Sequence, residues 1–495
     1  MLKNKLYKIW ILVMAGALGA CHDELLNPVP ESVLTNVNAF QTASDMNLAV
    51  LGVYATYKDR IPSDYELLEM PSDNMYAFYF GATPGIEEIT VLQVSPENPK
   101  INDFWKRNYN GIFRANSVLA NIENPTNYAA GQKEQLIGEA KFMRATYYFD
   151  LVRTFGGVPA ITTVVTAEQA KRVSKATENE IYQIIIDDLT DAITKLPLPS
   201  AIAKGRASKA AASALLAKVY VYRENWPAAK PLLEDVLNNY NYDLVSNFGS
   251  LFEVATENNK EVIFGIPYVT GTDGQNLTYA LSPIYGIYGV INNGNRVGRP
   301  TWDLHTKFEP GDSRFAVTIS EYQLTFDSKA TDAPFWFPYF NKWIVPSPSP
   351  TSSALDIPVM RYADVVLLYA ETLYRLNDPD GALTQINRVR ERAFGNTDHN
   401  YVLADIPNDN AFLDVLLLER RLEFVAENQR WFDLVRTGRF VTELAEYEGE
   451  YNDGSGEAMK ITVDVKPHKK YFPIPWEQIE LSQDGVLKQN DGYPQ

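Results

Sequence analysis

Two stretches of this chain align with each other without a gap, and that alignment restricts the possible folds more than any other feature of the sequence. Ala217, Tyr220, Ala229, Leu233 and Val236 correspond to Ala370, Leu373, Ala382, Ile386 and Val389 at a constant offset of 153 residues. A small residue, a large one three later, then Ala and two further apolar positions after a turn is the spacing of paired antiparallel helices, as in a tetratricopeptide unit. Small residues let the two helices approach. Asn225-Trp226-Pro227 and Asp378-Pro379 make the turn and start the second helix. With further helical patterns at 139–155 and 177–195, the repeat predicts a mainly α, right-handed array of helix pairs.

Apolar periodicity supplies the other helices. Met46, Val50, Val53 and Tyr57 form one stripe within 40–57, and Trp105, Tyr109, Ile112 and Asn116 recur at a spacing that favours a core role within 104–122. A third helix over 132–155 ends at Gly156-Gly157 with Pro159 beyond. Arg144 lies among its apolar residues and is expected to be an ion-pair donor, not a ligand residue. The segment 410–439 reads as one amphipathic helix of about seven turns, with Leu413, Leu416, Leu417, Phe424 and Trp431 on its apolar stripe.

Its polar side is dense. Glu419, Glu423 and Glu427 stand at four-residue intervals beside Arg420, Arg421 and Arg430, and Asp433 and Arg436 follow, which suggests a partly buried ion network. Glu423 and Glu427 could also be read as the acid/base pair of a glycoside hydrolase. Carboxylates held by arginines stay ionised and make poor proton donors, so the structural role is expected.

Between the helical parts lie two irregular regions rich in turn residues and aromatics, 64–94 and 240–358; within the second, only 262–266 reads as a strand. The expected division is residues 1–20 as a signal peptide, 21–36 as a tether, 37–239 as an N-terminal helical part, 240–358 as a loop-rich subdomain and 359–495 as a C-terminal helical part. The signal peptide rests on Lys3, Lys5 and Lys8, the apolar run 9–17 and the small residues before Cys21, the chain's single cysteine. The formal charge is −17, and losing those three lysines with no acid takes it to −20. Nucleic acid and anionic membrane surfaces reward a basic patch, which is not visible here. The four histidines form no metal-binding pair, and the common nucleotide, hydrolase and zinc-protease motifs are absent, so neither cofactor nor catalytic residue is expected. The acidic turns 378–381 and 452–454 could hold calcium but read more simply as turns.

Several of these strings resemble a known family. The run ER-x-x-EF-x-x-E-x-x-RW-x-DL-x-R-x-G from Glu419 to Gly438 resembles the C-terminal signature of SusD/RagB proteins, the nutrient-binding outer-membrane lipoproteins of Bacteroidetes. W-x-x-x-Y-x-x-I-x-x-x-N from Trp105, GEAKFMRATYYFDLVRTFGGVP from Gly138, Arg299-Pro300-Thr301, Asp312-Ser313-Arg314, 339–342 and the closing 489–493 are similar to the same family. Leu18-Gly19-Ala20-Cys21 resembles a lipobox, and Asp23-Glu24 just past it resembles a surface-export signal.

The resemblance implies lipidation at Cys21, a surface-exposed location on the outer membrane, a glycan or other nutrient as ligand, no catalysis, and a SusC-like TonB-dependent transporter as partner. Ligand contact is expected from aromatics of the irregular regions that no helical stripe claims: Tyr76, Tyr79 and Phe80 in the first, Tyr285, Tyr288 and Trp336 in the second. A flat ring buries the apolar face of a pyranose while its hydroxylated rim is bonded nearby. Trp105, Trp431, Trp302 and Trp343 are expected to be packing residues. Two other classes remain open on the residues alone, a glycoside hydrolase on a helical scaffold and a tetratricopeptide scaffold that binds peptides or proteins.

Overall fold

Several of the helices begin on side chains that accept the unpaired backbone N–H groups of a first turn. A computed structural model describes residues 39–77, 85–283, 287, 290–291, 294–295, 297–324, 335–346, 349, 351–451 and 458–494, with the backbone alone at 321–324, 335–337, 450–451 and 458–459. Thr42 with Asp45 and Thr177 with Glu180 make reciprocal capping boxes for α1 (Ala43–Arg60) and α4 (Glu178–Lys195). Between them run α2 (Pro99–Asn121) and α3 (Gln132–Phe155), the latter ended by Gly156 at φ 72°. The repeat follows as α5 (Lys209–Tyr222) with α6 (Trp226–Asn238) and α7 (Tyr362–Arg375) with α8 (Pro379–Phe394).

The 153-residue offset holds to the level of the turn. Glu224 and Asn377 both take left-handed φ, 54° and 64°. The next residues, Asn225 and Asp378, both donate their backbone N–H to the carbonyl five back and cap the following helix through their side chains. The 378–381 turn is thus a helix cap. Ala217, Ala229, Ala370 and Ala382 are all fully buried, as close helix approach requires. Successive helices pack from α1 to α8, and α6 lies directly on α7 although residues 239–361 separate them.

That intervening stretch leaves and re-enters the array through one clasp, β2 (Val262–Ile266) paired antiparallel with β6 (Ile357–Arg361). Two more antiparallel pairs belong to it in part or whole: β1 (Met75–Ala77) with β3 (Gly298–Pro300), and β4 (Ile319–Leu324) with β5 (Phe335–Phe340). A fourth pair, β7 (Glu446–Tyr451) with β8 (Ala458–Thr462), follows the last long helix. The architecture is therefore mainly α, a tetratricopeptide-like array with a loop-rich subdomain packed on it. Among the described residues no helix is long and apolar enough to cross a membrane.

The expected seven-turn helix at 410–439 is two helices. α9 (Asp409–Glu423) stops at Phe424, Ala426 and Asn428 turn left-handed at φ 57° and 61°, and α10 (Arg430–Arg436) starts afresh. The cause is outside the segment. The buried carboxyl of Glu69 accepts the backbone N–H of Ala426 at 3.1 Å and of Asn428 at 2.8 Å, in place of helical bonds. Leu413, Leu416, Leu417, Phe424 and Trp431 remain buried on either side of the break.

Candidate ligand-binding site

The two irregular regions that are far apart in sequence meet as neighbouring strands. β1 and β3 pair in register Met75 to Pro300, Tyr76 to Arg299 and Ala77 to Gly298, and β5 packs beside β3. A Cβ on Gly298 would lie 2.5 Å from Sδ of fully buried Met75, so glycine is what allows the strands to close. The first aromatic segment continues from the end of β1, the second precedes β3, and the backbone of Trp336 is in β5 opposite Gln323. Tyr76 is 3 % exposed, so in β1 its ring turns inward. Tyr79, Phe80, Tyr285 and Tyr288 and the side chain of Trp336 lie outside the described residues. Trp105, Trp302, Trp343 and Trp431 are all buried, in keeping with packing roles.

Directly beneath these strands is the ion network. Asp73, two residues before β1, takes both Nε and Nη2 of Arg430 at 2.8 Å and Nη1 of Arg421 at 3.2 Å. Its main-chain carbonyl accepts from Arg421 Nη2 at 2.7 Å and from the Thr301 hydroxyl at 2.6 Å. Burial alone would raise the Asp73 carboxyl, but Arg421 and Arg430 hold it down at about 2. Asn74 donates to Glu69 at 2.8 Å and accepts from Arg421 Nε at 2.8 Å. Arg421 also reaches Asp303 at 2.7 Å, on the short helix Trp302–Lys307 that follows β3.

Glu423 and Glu427 belong to the same network. Glu423 receives Arg361 at 2.8 Å and Arg392 at 2.7 Å, with Arg314 at 3.4 Å, and is fully buried. Burial opposes its ionisation, yet the Arg392, Arg361 and Arg314 guanidiniums hold its carboxyl well below the usual carboxylate range. Glu427 bonds Arg361 Nε at 2.7 Å and Lys342 at 2.9 Å. Glu419 is shared by Arg314 and Arg390 at 2.6 and 3.2 Å. Both carboxylates are thus taken up by arginines, with Lys342 on Glu427. Arg144 is likewise structural, gripping Asp188 through two nitrogens at 2.7 Å and Asn116 at 2.8 Å.

The local spacing in 419–436 showed that a network existed, but not its partners. Arg361, Arg392, Glu261, Asp364, Glu371 and Asp73 belong to it, and each comes from another part of the chain. The strings Arg299-Pro300-Thr301 and Asp312-Ser313-Arg314 proved to carry members of it, Thr301 and Arg314. Among the described residues no group of three or more His, Cys, Asp or Glu could hold a metal ion.

An array of paired helices bearing a loop-rich cap with buried arginine clamps defines the class; comparison with known proteins supplies the family. Residues 322–493 match the SusD family, and residues 33–221 match the family described as starch-binding associating with outer membrane. Both matched families are SusD-like, and together the two matches span most of the chain. A SusD-like protein of Formosa agariphila is 28 % identical over 87 % of this chain and 90 % of its own, and one of Bacteroides ovatus is 26 % identical over 89 % and 83 %. Among solved structures, a laminarin-binding SusD-like protein is 25 % identical, with a TM-score of 0.74 over 92 % of this chain and all of that one.

Proposed function

We propose that this protein is a non-catalytic surface receptor that captures an oligosaccharide or polysaccharide and passes it to a TonB-dependent outer-membrane transporter. The observation that supports this best is the convergence of the described roots of both aromatic-bearing segments on adjacent strands β1, β3 and β5. Rings presented from neighbouring roots can grip successive pyranose faces, and neutral sugars need no charged partner in an acidic protein. The laminarin-binding relative favours a glycan over other nutrients. Membership of the family implies the rest of the reading, a lipid on Cys21 that holds the protein at the outer membrane and a SusC-like partner. The hydrolase alternative loses its two carboxylates to arginines and a lysine.

The test is a glycan array probed with the chain lacking residues 1–21, followed by calorimetry with laminarihexaose and any stronger hit, and by product analysis. Binding of a neutral glycan without cleavage is expected. Failure to bind any glycan, or release of shorter products, would overturn the reading. Alanine variants of Tyr79, Phe80, Tyr285, Tyr288, Trp336 and Tyr76 then locate the site: at least one should cost about 2 kcal/mol, roughly thirty-fold in affinity.

A further inference from the structure

Tyr374, in the last turn of α7, lies flat on Phe412 in the first turn of α9, with ring centroids 3.7 Å apart and planes 2° from parallel. Phe412 is fully buried, so one face of the tyrosine is fixed against the core, while the half-buried ring lines a groove of about 500 Å³. Pro379, exposed Leu403 and buried Ile406 supply the other apolar walls. The rim is polar, and its charges are paired. Asp409 accepts from the Tyr374 hydroxyl at 3.2 Å and from Arg375 Nη1 at 3.1 Å, and Asn377, at the repeat turn, lines the same groove. The Asp409 side chain is 72 % exposed, which leaves lone pairs for the hydroxyl groups of a ligand. A helix pair of this repeat does not itself require the aromatic: the same position 153 residues earlier is Val221, which is buried, and Arg375 aligns with Tyr222.

We propose that this groove is a second carbohydrate subsite, which takes a neutral pyranose-containing chain against the Tyr374 ring. It rests on the glycan-receptor reading, but it is built from 374–379 and 403–409 and uses none of β1, β3 or β5. A ring already held flat loses little freedom on binding, so the apolar face of a sugar gains contact at small entropic cost. Asp409 accepts hydroxyl protons, while Arg375 and Asn377 donate to hydroxyl oxygens, and that mixed set matches groups that both donate and accept. The pairing of Arg375 with Asp409 favours a neutral sugar over an acidic one, since a uronate or sulfate would meet the carboxylate beside the arginine. The groove's volume lies within the range of small-ligand sites, roughly 300–1,000 Å³.

The test is amide hydrogen exchange with laminarihexaose or the strongest array hit as probe, on the chain lacking residues 1–21, as wild type, Tyr374→Ala and Arg375→Met. In wild type the probe should slow exchange at least threefold in both 374–379 and 400–409. Tyr374→Ala should abolish that protection and Arg375→Met should bring it below twofold, with protection elsewhere in the chain unchanged. Arg375→Met leaves the ring stack in place, so it decides the matter alone if Tyr374→Ala does not fold. Calorimetric binding of the probe with no protection of these two segments, or equal protection in wild type and Arg375→Met, would overturn the subsite and leave the receptor reading intact. Failure of wild type to bind any glycan would overturn both.

Discussion

At the scale of single residues, the chain spends an unusual share of its interior on charge. Removing one partner of a buried pair strands the others, at a cost of about 3–5 kcal/mol. Glu423→Gln leaves Arg361, Arg392 and Arg314 facing a neutral amide, so denaturant unfolding should show a loss of that order. Retained stability together with loss of a measured hydrolytic activity would restore the enzyme reading. Glu69 titrates in the opposite sense. Burial outweighs its three N–H donors and pushes its carboxyl up to about 7, against 4.5 in the unfolded chain. The folded form then keeps a proton that the unfolded form has lost, so stability is present below pH 4.5 and falls as pH rises to 7, by about 3 kcal/mol in all. Asp64, pushed up to about 6, adds to the same slope. Asp73, held at about 2, reverses it below pH 4. Wild type should therefore unfold at higher denaturant at pH 5 than at pH 7.5, and Glu69→Gln should reduce that difference. A flat wild-type profile would refute the assignment.

At the scale of elements, what was legible in the sequence was what local spacing dictates. The repeat helices, their caps and the strand at 262–266 depend on residues within a turn or two of each other, and they emerged as expected. The break at 424–429 was invisible because nothing inside the segment causes it. No glycine or proline marks it, and Glu69 stands 357 residues away from Ala426. Similarly Arg430 finds Asp73 across 357 residues, a pairing that no helical periodicity can reveal. Strands β1 and β3 were legible only as irregular, aromatic-rich sequence, since three-residue strands leave too short a pattern to read. The break makes its own prediction. Asparagine tolerates left-handed backbone and alanine does so at a cost, so Asn428→Gly should match or exceed wild-type stability while Asn428→Ala loses about 1 kcal/mol. Equal stability of the two variants would show that the left-handed turn carries no strain. At the repeat turns, Asp378→Ala should cost about 1 kcal/mol through the lost cap, read as a shift in thermal midpoint.

At the scale of the whole molecule, the ion network joins the two helical parts and the inserted subdomain. Lys218 of α5 meets Asp364 of α7 at 2.9 Å, and Arg361 at the end of β6 meets Glu261 beside β2 at 2.6 Å. Anchoring belongs to the same scale. One acyl chain gives only marginal membrane binding, and stable attachment takes two or more. Cys21→Ala should therefore move the protein out of the outer-membrane fraction, as measured by fractionation and blotting; unchanged recovery there would remove the lipid anchor from the reading.

The clasp between β2 and β6 also bears on the chain entropy of the helical array. α6 and α7 are neighbours in the array, but their contact closes a loop of more than a hundred residues, and the entropy of that closure rises with the logarithm of loop length, to about 4 kcal/mol here. Once β2 and β6 have paired, the loop left for the α6–α7 contact to close shortens to residues 239–261.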